Sequence, residues 1–309
     1  MSAKPTILVT GADLAKEALA LLGDFEVVYG DKVCAEETLV TLSEKHQPVA
    51  IIVRYGKINS RVMDASRNLR VISKHGAGTD TIDSKAAKER GIEVRAAVGA
   101  NADAVAEHSW ALILDCAKGV VPLDQRMHAG HWDKSTHKSL ELRGKTLGVV
   151  GLGAIGRRVA EVGVAFGMNV LAFDPFAKAA PAGVTLAPLD TVISEGHVIS
   201  LNCPLTDETR HLVNRDSIAK MRDGAILVNT GRGGLIDDAA LIEALASGKI
   251  RAAGLDAFQS EPMTGDHAWR NVRNAILTPH VGGVSEDAYV NMGTAAARNI
   301  LDVLKREHA

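Results

Sequence analysis

Residues 145–175 read KTLGVVGLGAIGRRVAEVGVAFGMNVLAFDP, an apolar run, a tight cluster of glycines, an amphipathic stretch and a second apolar run closed by an acidic residue. The glycines Gly151, Gly153 and Gly156 have the spacing Gly-x-Gly-x-x-Gly. With 29 glycines in 309 residues, roughly one such chain in four would carry that spacing by accident, so the bare motif decides little. Its setting decides more. A strand is predicted over Thr146 to Val150, a helix over Ile155 to Phe166, a second strand over Asn169 to Phe173, and Asp174 follows at the distance expected of the acidic residue in a dinucleotide-binding βαβ unit. Each position has physical work to do: Gly151 makes the tight turn, Gly153 lets backbone approach a pyrophosphate, and Gly156 lets helix and strand pack closely. The helix N-terminus, with Ala154 and Ile155 in its first turn, faces negative charge. Asp174 suits the ribose hydroxyls and repels a 2′-phosphate, which favours NAD over NADP.

The same alternation runs through the chain on both sides of this unit. Before it come TILVT, ADLAKEALALLG, EVVYG, AEETLVTLSEKH, VAIIVR, RVISKHG and EVRAAV; after it come HVISLN, AILVNTG, AAGLDAF and NAILTPH. β-branched runs alternating with helical periodicity predict parallel sheets wrapped by helices. The expectation is an α/β chain of two doubly wound, Rossmann-like parallel-sheet domains with a cleft between them. The expected division is residues 1–100 with 285–309 as a flavodoxin-like substrate-binding domain and residues 101–284 as the NAD-binding domain. A long helix is predicted over Ala102 to Lys118. The polar segment after it, GVVPLDQRMHAGHWDKSTHKSLELRG, shows no clear periodicity and reads as a connector or arm. The last stretch, EDAYVNMGTAAARNILDVLKRE, reads as one helix returning to the first domain.

Composition limits the class. A formal charge of -2 without a basic block, and only 4% aromatic residues, carry no nucleic-acid footprint. No apolar run approaches a membrane span and the N-terminus lacks a signal-peptide pattern, which makes the cytoplasm the default. Cys34, Cys116 and Cys203 are scattered and read as core or loop residues. His128, His131 and His137 lack ligand-like spacing, and no metal is expected. His108, inside a strongly apolar helix, reads as a packed histidine.

Three further segments follow predicted strands, where a doubly wound fold places its chemistry: NTGRGG (229–234), LDAFQSEP (255–262) and LTPHVGG (277–283). Arg232 among glycines leaves room for a small ligand and a bidentate carboxylate contact. His280 and Glu261 suit proton transfer, with the carboxylate keeping the imidazole charged. Arg54, after the strand VAIIV, is positioned either for a distal anion on the substrate, with Lys57 or His75 beside it, or for a surface ion pair. Both readings stay open.

Taken in order, GAGTDTID, NADAVAEHSWALIL, GLGAIG, NTGRGGLIDDAALIEAL, GLDAFQSEP and TPHVGG resemble the D-isomer-specific 2-hydroxyacid dehydrogenase family, which includes phosphoglycerate dehydrogenase and hydroxypyruvate and glyoxylate reductases. The resemblance spans nearly the whole chain. It implies NAD-dependent oxidoreduction at C2 of a 2-hydroxy or 2-oxo acid, with His280 as proton donor, Glu261 as its partner and Arg232 holding the substrate carboxylate. It also implies that Asp256 binds the nicotinamide carboxamide and that Gly76, Ala77 and Gly78 grip the substrate, Ala77 also meeting the cofactor. Cys203 and Pro204 would lie on the adenosine side, Thr230 and Gly231 beside the nicotinamide, and Gly282 and Gly283 behind it. The substrate it implies is 3-phosphoglycerate or another acid with a distal anion, or alternatively glyoxylate or hydroxypyruvate. A homodimer built through the long helix and the arm is expected, as is the absence of the regulatory domain appended to some phosphoglycerate dehydrogenases. A role of another class, an NAD-sensing corepressor, also occurs in the wider family. Ala154 stands where many members carry arginine, Thr81 where asparagine is common and Gly231 where alanine is common.

Overall fold

The computed structural model describes residues 4–306, which divide into two units, residues 4–101 with 284–306 and residues 102–283. Each unit is built on one parallel sheet. In the first, strands β1 (Thr6–Thr10), β2 (Glu26–Tyr29), β3 (Ala50–Val53), β4 (Val71–Lys74) and β5 (Glu93–Ala96) lie in the order β2-β1-β3-β4-β5. Every residue of β1 and β3 is buried. Such runs carry no alternation because helices cover both faces of the sheet. Those helices are α1 (Lys16–Leu21), α2 (Glu36–His46), α3 (Ser60–Asp64), α4 (Ser84–Glu89) and, from the end of the chain, the helix Glu286–Arg306. The terminal helix buries Ala296, Ala297, Ile300 and Val303 against Ile7, Ile52, Val71 and Leu22. That packing returns it to the first unit, as its amphipathic pattern predicts.

The second unit opens with α5 (Ala102–Lys118) and α6 (Val120–His128) and continues through β6 (Thr146–Val150), α7 (Ala154–Ala165), β7 (Asn169–Phe173), β8 (Val184–Leu186), α8 (Leu189–Glu195), β9 (Val198–Leu201), α9 (Arg215–Lys220), β10 (Ala225–Asn229), α10 (Asp238–Ser247), β11 (Ile250–Leu255) and β12 (Ala275–Leu277). The helix Glu286–Arg306 is thus α11. The sheet order is β12-β11-β10-β9-β6-β7-β8, all parallel. Helix α5 is fastened to α7 where Trp110 stacks on Phe166 at 4.8 Å and its indole N–H donates to the Val159 carbonyl at 3.1 Å. The arm differs from the sequence reading: it contains α6, a helix with no buried residue, so no apolar face announces it.

In both sheets the chain reverses its winding at one strand, leaving a crevice beyond the carboxyl ends of two neighbours. In the first unit that crevice lies between β1 and β3, in the second between β6 and β9. At the first, the protein's own side chains meet one another. The Arg54 guanidinium is paired with the Asp13 carboxylate, its Nη1–H donates to the Asp13 carbonyl at 2.6 Å, and the Tyr289 hydroxyl donates to Asp13 at 2.8 Å. Arg54 lies over the rings of Tyr289 and Tyr55, at 5.1 and 5.4 Å from their centroids. His75 packs beside Tyr289 at 5.6 Å between ring centres. Its Nε2 is buried without a hydrogen-bond partner among the described residues, and burial, then the neighbouring Arg54 charge, push its pKa down to about 4. His75 is therefore neutral near pH 7 and supplies no cation beside Arg54.

The neutral ring has a stability consequence. Below pH 6.5 an unfolded chain takes up a proton at this histidine that the folded protein refuses, so stability is full above that pH and is lost as pH falls from 6.5 towards about 4. The loss amounts to about 3 kcal/mol at most. Urea unfolding followed between pH 7 and pH 4 should show it in the wild type, and a His75→Phe variant should lack that part of the acid slope.

Candidate active site and nucleotide site

The glycine turn joins β6 to α7 at the switch point of the second sheet. Gly151 has φ +94, and a Cβ there would lie 2.7 Å from the backbone of Asn202 and Cys203 at the end of β9. A Cβ at Gly156 would overlap the Gly151 carbonyl oxygen. Both glycines are fixed by the protein's own packing. Gly153 is not: its φ is -71, and a Cβ on it would meet no atom within 4 Å. An exposed glycine that neither conformation nor packing requires leaves space for something else, at the N-terminus of a twelve-residue helix. Ala154 is exposed in the first helical turn, Ile155 partly covered. Arg157, which could have compensated for the alanine at position 154, donates to the Ala179 carbonyl at 3.2 Å.

Asp174 ends β7 with its carboxylate already engaged. Oδ2 accepts from the Leu152 N–H and Oδ1 from the Phe176 N–H, both at 2.8 Å. It therefore shapes the glycine turn, a role the sequence reading did not assign. Each oxygen retains a second lone pair for a ribose hydroxyl. Opposite, Asn202 keeps a buried Oδ1 without a partner among the described residues. Burial pushes the Cys203 thiol up to about 11, so it stays protonated and acts as a small apolar wall next to the exposed Pro204. An open turn, a helix N-terminus and an acidic residue after β7 form a donor set that fits a dinucleotide.

The second constellation follows β10, β11 and β12. Glu261 Oε1 accepts from the Phe258 N–H at 2.8 Å, which leaves Oε2 to take the His280 Nδ1–H at 2.7 Å. His280 has φ +55, a left-handed conformation that costs a non-glycine residue about 1–2 kcal/mol. The turn is held by Asp256, only 1% exposed. Its Oδ1 accepts from the Thr278 hydroxyl at 2.6 Å and the Val281 N–H at 2.9 Å, and its Oδ2 from the Gly282 N–H at 2.8 Å. A Cβ at Gly282 would come within 2.8 Å of that carboxylate. Because the Thr278 hydroxyl spends its one proton on Asp256, the contact with His108 at 2.9 Å must be a donation from His108 Nε2–H. His108, read from sequence as a packing residue, belongs to this network.

Arg232 follows β10, half-buried and extended, with Nη1–H donating to the Gly231 carbonyl at 2.9 Å and its own carbonyl accepting from Asn229 at 2.9 Å. The neighbouring Gly233 seats directly on the Phe258–Gln259 backbone, where any side chain would collide. That contact sets the Arg232 turn against the turn carrying Glu261. Thr230 is buried and donates to the Ser109 hydroxyl of α5 at 2.8 Å, since Ser109 spends its own proton on the Val105 carbonyl. Gly283, at the end of this unit, is partly covered. In the first unit Gly76 is buried with φ +143, Ala77 is exposed and Gly78 partly so.

With this geometry in hand, the relatives are informative. Residues 110–282 match the model of the D-isomer specific 2-hydroxyacid dehydrogenase NAD-binding domain. The chain belongs to the D-isomer-specific 2-hydroxyacid dehydrogenase family. It is 40% identical over 295 residues to a hydroxypyruvate reductase of Thermotoga maritima, covering 94% of this chain and 96% of that one. It is 39% identical over 275 residues to a D-3-phosphoglycerate dehydrogenase of Archaeoglobus fulgidus, covering 88% of this chain but only 52% of that one, so it spans about half of that relative's length. The crystal structure of a protein from Thermus thermophilus superposes with a TM-score of 0.89 at 35% identity, covering 97% of each chain. As a member of this family the chain is an NAD-dependent oxidoreductase acting on the CH–OH group of 2-hydroxy acids. The corepressor reading gains no support from relatives that are named as reductases and dehydrogenases.

The contrast among the glycines is measurable. Gly153→Ala should leave the melting temperature of the ligand-free protein within a few degrees of wild type while weakening NADH binding, read by fluorescence titration, by about tenfold or more. Gly156→Ala should instead lower the melting temperature strongly, because backbone has to move to admit the methyl group.

Proposed function

We propose that this chain is a reductase of short 2-oxo acids, with hydroxypyruvate and glyoxylate as the substrate class. The observation that carries the proposal is the His280–Glu261 contact at 2.7 Å, built on a left-handed turn that Asp256 stabilises from within. Backbone strain held in place by a buried carboxylate marks a position where geometry is worth more than local stability.

Each residue then has a part. Arg232 holds the substrate carboxylate and draws electron density from the adjacent carbonyl. Glu261 fixes His280 in the tautomer with Nδ1 protonated, so Nε2 is the nitrogen that gives a proton to the carbonyl oxygen during reduction and takes one from the hydroxyl during oxidation. Gly76, Ala77 and Gly78 present backbone to the substrate, Ala77 also to the cofactor, and Arg54 faces the substrate's distal end. Gly151, Gly153, Ala154, Ile155 and Gly156 cradle the pyrophosphate, Asp174 takes the ribose hydroxyls, and Cys203 and Pro204 flank the adenosine. Thr230, Gly231, Gly282 and Gly283 border the nicotinamide. Asp256 serves it through the Val281–Gly282 backbone it anchors, with Oδ2 retaining a lone pair for the carboxamide. When bound, NAD supplies the two-electron redox chemistry.

We further propose a homodimer located in the cytoplasm. Helix α6 buries nothing within its own chain, and Val120, Met127 and Trp132 in and after it are 60%, 52% and 74% exposed. An apolar set of this kind on an arm suits a second copy of the same chain. No described helix is long and apolar enough to cross a membrane.

His280→Ala should cut turnover of hydroxypyruvate with NADH by about 10²-fold or more and leave NADH affinity within about twofold. Near-normal turnover removes His280 from the catalytic set. Sedimentation velocity should report a dimer for the wild type and a shift towards monomer for Trp132→Glu.

A further inference from the structure

Three successive residues of α5 are each tied to a different element of the second unit. His108 donates from Nε2 to the Thr278 hydroxyl at 2.9 Å, Ser109 takes the Thr230 hydroxyl at 2.8 Å, and Trp110 reaches the Val159 carbonyl of α7 at 3.1 Å. Thr278 opens the turn after β12 and Thr230 the turn after β10. The first of these ties bears on His280. Thr278 holds that histidine through two of its own groups: its carbonyl accepts the His280 N–H at 2.9 Å, and its hydroxyl donates to Asp256, whose carboxylate carries the Val281 and Gly282 amides. The Thr278–Asp256 bond, at 2.6 Å, lies at the short end for a hydroxyl on a carboxylate. His108 feeds it from behind. Its Nε2 is also 3.4 Å from Asp256 Oδ1, and a Cβ at Gly282 would meet its Cδ2 at 3.4 Å. An imidazole only 22% exposed, seated against three parts of one turn, does more than fill space.

We propose that His108 is a positioning residue for His280: by giving its Nε2 proton to Thr278 it fixes which way the Thr278 hydroxyl points, and through Asp256 it sets the turn from which the His280 imidazole is aimed. The inference rests on His280 being the proton donor and adds a residue that acts on it through two others. A threonine hydroxyl carries one proton and two lone pairs and turns about its C–O bond. With a donor on one side and a carboxylate on the other, one orientation satisfies all three groups. The donations run in one direction, from His108 to Thr278 to Asp256, and each strengthens the next. Without His108 the hydroxyl loses its donor, and its bond to Asp256 weakens. Slack there passes to His280, whose left-handed backbone is held by that turn against its own strain. The Glu261 contact fixes one edge of the ring but not the backbone beneath it.

The test measures hydroxypyruvate reduction with NADH in wild type and four variants: His108→Phe, which keeps a flat ring and loses the N–H; His108→Gln, which keeps a donor; Thr278→Val; and the double variant His108→Phe/Thr278→Val. His108→Phe should lower kcat by about tenfold, as the loss of one hydrogen bond would, while NADH affinity stays within about threefold of wild type and the melting temperature within a few degrees. His108→Gln should recover most of that loss. Thr278→Val should cost as much or more by itself, and the double variant should fall no further, since the two residues act through one path. Should His108→Phe not fold, Thr278→Val carries the same prediction. A His108→Phe enzyme with wild-type kcat, a His108→Gln enzyme no better than His108→Phe, or losses that multiply in the double variant overturns the proposal. Long-range proton–nitrogen correlation spectra of the histidine rings separate this idea from the reading beneath it. With the ring neutral, wild-type His280 should show Nδ1 protonated and Nε2 bare, and His108→Phe should move both nitrogens towards the tautomer mixture of free imidazole. If wild type reduces no 2-oxo acid, or His280→Ala keeps near-normal turnover, the proton-donor reading fails, yet the ring shift should remain; a His280 tautomer unmoved by His108→Phe overturns the positioning role.

Discussion

The carboxylate of Asp256 lies out of water, and a buried charge must be met by donors from the chain itself. An uncompensated charge there would cost several kcal/mol, and the protein avoids that cost by folding a tight turn around it. The Val281 and Gly282 N–H groups and the Thr278 hydroxyl all point inward at the two oxygens. Drawing two successive amides onto one carboxylate after β12 forces the preceding residue into the left-handed region, and that residue is His280. The imidazole is thus aimed from below, by a residue that need not touch the substrate, and from the side by Glu261. Gly282 has no side chain because the same carboxylate fills the space one would need. Removing the charge would release the turn along with its histidine.

The glycine turn obeys a different constraint. Gly151 and Gly156 are demanded by backbone packed against backbone, whereas nothing in the chain demands Gly153. Two of the three glycines are explained by the fold, and the third is not. Asp174 couples the two sets of demands, since the carboxylate that closes β7 also takes the Leu152 N–H of the turn. A residue usually read as a cofactor ligand is equally a structural fastener, so loss of cofactor affinity on its removal would not by itself distinguish the two roles.

Much of this was legible because the information was local. The βαβ unit, the covered parallel strands and the three polar segments at strand ends follow from periodicity and from the rule that chemistry collects beyond the carboxyl ends of strands. What escaped was either unburied or distant. Helix α6 buries no residue, so periodicity had nothing to register, and Pro122 near its start obscured it further. Strand β8 is three residues long, two of them exposed. His108 sits in an apolar helix as a core residue would, and its donation to Thr278 spans 170 positions of sequence. Gly233 carries no mark in the sequence distinguishing it from Gly234, yet it alone seats on the Phe258–Gln259 backbone.

Arg54 shows why charge is the hardest property to read along a chain. Its position after a buried strand leaves two readings open, an anion site and an ion pair, and the structure pairs it with Asp13. Whether it is a free cation depends on Asp13, 41 residues earlier, and on Tyr289 in the last helix. Neither spacing has a period or a motif.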